Sequence, residues 1–187
     1  MHGQMPGLMN PRLAELIAHA DGAREQLSTT VRDIPGDHYS RQPPGGGWSV
    51  AQILAHLYLV EHSSVRAMFR ALKDGKKAGL GAETETSSLL GALDLTGLRE
   101  GRGKVEAPPF TQPQDSPDLN TALVRLAESR EGLHAWAREA DGFAIGTLTF
   151  PHPALGTLTL YEWILMVSHH ELRHIGQIRD IALALRA

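Results

Sequence analysis

The 187-residue chain contains no cysteine. That removes disulfides, thiolate metal ligands and a cysteine nucleophile together, so thiol chemistry would need a thiol brought from outside. A basic excess is missing too: 18 Lys and Arg stand against 21 Asp and Glu, a net charge of −3. Nothing is left over to neutralise phosphates or hold an anionic membrane surface, which sets nucleic acid aside as a main partner. Apolar runs are broken by His, Glu or Arg well before the roughly 20 residues of a membrane span. Met1 to Pro11 lacks the basic-then-apolar order of a signal peptide, so the expectation is a cytoplasmic protein with no membrane partner. Nucleotide-binding glycine patterns and a Gly-x-Ser-x-Gly elbow are absent, and Gly45-Gly46-Gly47 follows prolines instead of a strand. Aromatics make up only 5% of the chain, yet there are ten histidines.

What is present is helical periodicity. Leu13, Leu16, Ile17, Ala20, Ala23, Arg24 and Leu27 recur at three and four from Pro11 to about Val31, with Asn10 as N-cap and Pro11 at the first helical position. Three prolines and four glycines between Ile34 and Gly47 make a connector. Ser49 caps a second helix along Val50, Ile53, Leu54, Leu57, Val60 and Ser64, expected to end near Lys73, before Gly75. Periodicity fades from Asp74 to Pro117, a crossover or cover with room for short helical turns at Ser88 to Leu93. Asp118 opens a third helix that reaches about Glu139. Mirrored Thr-Leu-Thr runs between Phe143 and Thr159 predict a hairpin or two extended arms. Thr159 and Glu162 then form a capping box for a last helix from Leu160 to about Leu185. The pattern predicts one all-α domain over residues 1–187, a four-helix bundle. The connector of roughly 43 residues can retrace a helix of about 38 Å, which permits parallel helices 2 and 3 and an up-down-down-up order.

His170 and His174 stand four apart on the last helix, so both imidazoles share a face and can converge on one ion. Ten histidines in 187 positions give such a pair by chance about half the time, so the spacing alone is weak. The surroundings add to it. Leu160, Trp163, Ile164, Val167, Ile178 and Ile181 make that side of the helix apolar, and His56 sits between Leu54 and Leu57 on the second helix. Inward imidazoles need partners. Gln52, four before His56, and Gln177, three after His174, are candidates to orient a ligand, a nucleophile or a substrate. Glu171 points about 100° from His170 and is expected in an outer shell or at the surface. Arg173 and Arg179 are expected to be solvated or ion-paired. His62, His134 and His169 fall off the converging faces and are expected as surface or cap residues. His152-Pro153 is expected to pack in a turn, and Trp48 to staple the helix entry.

Trp48-Ser49-Val50-Ala51-Gln52-Ile53-Leu54-Ala55-His56-Leu57 resembles the start of the second helix of DinB/YfiT-like proteins. His152-Pro153-Ala154-Leu155-Gly156-Thr157-Leu158-Thr159, Glu162-Trp163 and His170-Glu171-Leu172-Arg173-His174-Ile175-Gly176-Gln177-Ile178 resemble their last helix and its lead-in. The resemblance implies an up-down-down-up bundle, often a homodimer, with His56, His170 and His174 holding zinc, nickel or a similar ion beside an open position. It also implies a range of activities: thiol transferases, thiol-dependent isomerases and hydrolases. The family name records induction by DNA damage, a stress response.

Together these point to a metal-dependent enzyme that activates a low-molecular-weight thiol for transfer to a small-molecule electrophile, with hydrolysis by activated water as the alternative. A metal-binding stress-response bundle without turnover would use the same three histidines. Three unrelated core histidines would need no metal at all.

Overall fold

In the computed structural model, residues 9–91 and 107–186 are described. Four helices dominate: α1 (Pro11–Arg32), α2 (Val50–Lys77), α3 (Leu119–Ala140) and α4 (Leu160–Ala184). Each begins on a side-chain cap. Asn10 accepts from the Arg12 amide, Asp118 from Thr121, Ser49 from Gln52 and Thr159 from Glu162, the last two within complete capping boxes.

Contacts along the helices fix their directions. On α1 and α4, Arg24 meets Glu171 and, further along both, Thr30 meets Arg179, so these helices run parallel. On α2 and α3, Glu61 meets Ser129 and Lys76 meets the Glu139 carbonyl, again parallel. Between α1 and α3 the order reverses: Ala20 meets Arg130, whereas Arg24 meets Leu126. The bundle is therefore up-down-down-up, with the long crossover between α2 and α3. α4 packs on both α1 and α2.

Helix α2 runs one turn past its expected end. Gly75 lies inside it, and a Cβ there would come within 2.7 Å of Leu148, so the missing side chain is a seat for the chain leading into the hairpin. That hairpin, β1 (Thr149–His152) and β2 (Gly156–Thr159), pairs Thr149 with Thr159 and His152 with Gly156. Gly156 takes φ 78°, a left-handed conformation that glycine adopts without strain. Where helical turns are expected at Ser88 to Leu93, Ser88 to Gly91 are not helical, with a simple turn at Leu90 and Gly91, and residues 92–93 lie outside the described residues. Pro109–Thr111 form a short 3-10 turn against α2.

The core divides in two. One apolar cluster centres on Leu16, Met68, Trp136 and Ile164; the other on Leu27, Leu54, Leu126 and Ile178. Between them the bundle has a polar waist, which holds every buried charge among the described residues.

Candidate metal centre

The waist contains two clusters. The first is ionic. Arg24 of α1 reaches Glu61 of α2 at 2.6 Å and also Glu171 of α4, while Arg130 of α3 reaches Glu61 at 2.8 Å and Glu171 at 3.1 Å. Ser129 donates a further bond to Glu61, Arg24 and Arg130 cap the Leu126 and Ala20 carbonyls, and Arg130 also meets Asp21. Burial opposes ionisation of Glu61, but Arg24, Arg130 and Ser129 hold its carboxyl below the ordinary value; at Glu171 burial outweighs the arginines and pushes it up. Two arginines and two buried carboxyls close on one another here, with the more exposed Asp21 at the edge. Glu171, expected in an outer shell or at the surface, is only 1% exposed. α4 is packed on two sides, so its buried arc is wider than the stripe that a single neighbour would cover.

The second cluster is His56, His170 and His174, whose candidate ligand nitrogens all lie within 4.8 Å of one another. His170 Nε2 stands 3.2 Å from His56 Nε2 and 3.1 Å from His174 Nε2. Nitrogens about 2.0–2.1 Å from a tetrahedral ion are about 3.3 Å apart, so these spacings suit a shared cation. The opposite side of two rings is occupied. His56 Nδ1 donates to the Thr111 carbonyl at 2.7 Å, and a carbonyl can only accept, so that nitrogen carries the proton. His174 Nδ1 faces the Gln177 amide oxygen at 2.8 Å. In the neutral rings this turns the Nε2 lone pairs of His56 and His174 toward His170, whose Nε2 can donate its hydrogen to them or, with its proton on Nδ1, join them as a third ligand of one cation.

Burial keeps the rings neutral. It lowers the pKa of His56 despite the Thr111 bond, that of His174 to about 3, and that of His170 well below the usual imidazole range, with neighbouring His174, His56 and the exposed Arg173 adding to the effect at His170. Neutral imidazole is the ligating form.

The three sequence-predicted ligands are thus brought together. Gln177 is placed where it orients His174. Gln52 is a correction: its amide oxygen accepts from the Ser49 amide at 3.0 Å, closing the α2 capping box, because its position three residues past the cap is also the one that box uses. His62 is exposed, as expected, whereas His134 is half-buried and pairs with Asp21. His169 departs from expectation, being half-buried against the His19 ring of α1 at 5.5 Å. His152 accepts from the Ala154 and Leu155 amides, which fixes the hairpin turn, and lies 5.1 Å from Trp163. Trp48, just before the Ser49 cap, sits 4.8 Å from His56 and walls the centre. Thr111 was not legible in the sequence, since its contribution is a backbone carbonyl from a segment without periodicity.

No described helix is long and apolar enough to cross a membrane. Among solved structures, the chain is similar to TT2238, a four-helix bundle protein, with a TM-score of 0.61 at 20% identity, covering 90% of this chain and 98% of that one, a likeness of fold. Among curated proteins it is 23% identical over 159 residues to the uncharacterized protein YuaE of Bacillus subtilis (strain 168), spanning 85% of this chain and 92% of that protein. The DinB superfamily model matches residues 19–178, and the chain, with its up-down-down-up bundle and histidine triad, belongs to the DinB superfamily.

Proposed function

We propose that the protein is a metal-dependent enzyme in which His56, His170 and His174 hold one divalent ion, zinc or nickel, beside an exchangeable position that takes a small-molecule thiol or water. The observation that carries this is the convergence of the three Nε2 atoms, with the Nδ1 atoms of His56 and His174 committed to Thr111 and Gln177. The supply of a fourth protein ligand argues for an open position. Glu61 and Glu171 are spent on Arg24 and Arg130, and Glu162 accepts from the Thr159 amide. An ion on three neutral imidazoles keeps its full charge and lowers the pKa of a bound thiol or water.

The chain's own part is then to bind and orient. The triad sets the position, Thr111 and Gln177 hold two of its rings, and Trp48 gives one apolar wall. With no cysteine in the chain, the nucleophilic sulfur would come from a low-molecular-weight thiol, and its acceptor would be a small electrophile; water in the same position would make the reaction a hydrolysis.

Cobalt substitution tests this. The cobalt-loaded protein is expected to develop a thiolate-to-cobalt charge-transfer band when a small thiol is added, and His170→Ala to show none. A cobalt spectrum indifferent to both thiol and azide would mean a closed site, and the non-catalytic metal-binding bundle would replace the enzyme.

A further inference from the structure

The Thr111 carbonyl belongs to the crossover, not to the helices that carry the ligands. Thr111 is only 4% exposed although Phe110 beside it is 65% exposed, so the turn is pinned by its backbone and not by burial of its largest side chain. Its internal bonds support that pose: the Thr111 amide and hydroxyl both donate to the Pro108 carbonyl, at 2.9 and 3.0 Å, and the Gln112 side chain donates to the Ala107 carbonyl at 2.9 Å. Across the turn, His56 Nδ1–H is the one hydrogen bond that ties it to the histidine triad among the described residues.

That bond competes for a proton. Without a cation, the facing Nε2 atoms of His56 and His170, 3.2 Å apart, are satisfied by two exchanging tautomers: with the hydrogen on His170 the Thr111 bond is kept, and with it on His56 that bond is lost. When His56 supplies it, Nδ1 becomes an acceptor and faces the Thr111 carbonyl lone pair with lone pair. A cation on the three Nε2 atoms removes this alternative, because His56 must then keep its proton on Nδ1, and it makes that N–H a stronger, charge-assisted donor. Resting on the metal reading above, we infer that segment 107–112 is a metal-dependent latch. Metal binding fastens the crossover onto α2 through His56 and Thr111, and the fastened crossover in turn raises metal affinity. Thermodynamic linkage makes the two effects equal.

The test is hydrogen exchange on the full-length protein, metal-free and zinc-loaded, with zinc affinity measured in parallel. Zinc is expected to slow exchange in peptides covering 107–118 as well as in α2 and α4 around the ligands. A Pro109→Gly/Thr111→Gly variant, which loosens the turn and leaves every ligand in place, is expected to bind zinc about tenfold more weakly with unchanged helical circular dichroism. Phe110→Ala, altering only an exposed side chain, is expected to bind as the wild type does. Zinc bound at the triad with exchange in 107–118 unaltered, or wild-type affinity in the loosened variant, would overturn the latch alone. A wild type that binds no zinc or nickel would overturn the metal reading and the latch with it.

Discussion

Two polar clusters share the waist of this bundle, with Leu57, Val60 and Val167 packed where they adjoin, and they differ in what completes them. The ionic cluster is closed: Arg24 and Arg130 each touch both Glu61 and Glu171, so charge and hydrogen-bonding capacity are satisfied within the protein. The histidine cluster is open, with three Nε2 atoms turned on one another and two Nδ1–H groups turned away. Buried polar groups persist when they are paired, so a self-complete cluster reads as structure and an incomplete one as a binding site. On the metal reading proposed above, the adjacent residues His170 and Glu171 thus carry opposite roles.

Breaking each cluster in turn should separate those roles. The largest effect is expected from His170→Ala, which should lower zinc affinity by at least about a hundredfold, because two imidazoles hold poorly what three hold well, while chemical stability of the metal-free protein changes little. Isothermal titration and urea unfolding measure both. Arg130→Met should do the reverse. It strands buried Glu61 and Glu171 with one arginine between them, at a cost of about 3–5 kcal/mol in the urea midpoint analysis, with zinc still bound by whatever fraction is folded. Loss of zinc without loss of stability would mean that the ionic cluster belongs to the site.

Acid should act on the triad and on Glu61 in different windows, while Glu171, whose carboxyl burial pushes up, should respond with the opposite sign to Glu61, gaining stability as it takes up its proton. His174 is held neutral down to about pH 3, so below the ordinary imidazole value of about 6.5 the unfolded chain takes up a proton that the folded chain refuses. Stability of the metal-free protein is therefore expected to fall as pH drops from 6.5 toward 3. Glu61 has the usual lowered carboxylate pKa: its contribution is complete above about 4.5 and is lost only as pH falls through the lower folded value. Between pH 7.5 and 5.5 the wild type should lose stability and His174→Phe should lose less. Equal losses would contradict the assignment of that window to the triad.

The smallest effects distinguish the two glutamines. Gln177→Ala should weaken zinc binding about tenfold, since it frees His174 Nδ1, whereas Gln52→Ala should leave affinity unchanged and cost about 0.5 kcal/mol through the α2 cap.

Much of this was legible in the sequence, for reasons that particular residues make plain. His56, His170 and His174 lie on apolar helix faces, so periodicity alone turns them inward, and the capped ends of all four helices were marked by Asn10, Ser49, Asp118 and Thr159. Besides Gln52 and His169, three features of the packing escaped. Gly75 reads as a helix stop, but Leu148 packs over it and α2 continues. Glu171 reads as peripheral by its angle to His170, but two arginines from two other helices converge on it, and no single-helix phase contains them. The Thr111 carbonyl is invisible to any argument from side-chain type. Sequence periodicity reports what one helix presents; it does not report what three neighbours and a crossover bring to meet it.

Whether the histidine cluster holds a metal ion is read most directly by elemental analysis of the untagged protein and its His56→Ala and His170→Ala variants. About one divalent ion per chain is expected in the wild type and none in either variant. A metal-free wild type that neither zinc nor nickel can load, or stoichiometric metal persisting in both variants, would contradict the metal reading.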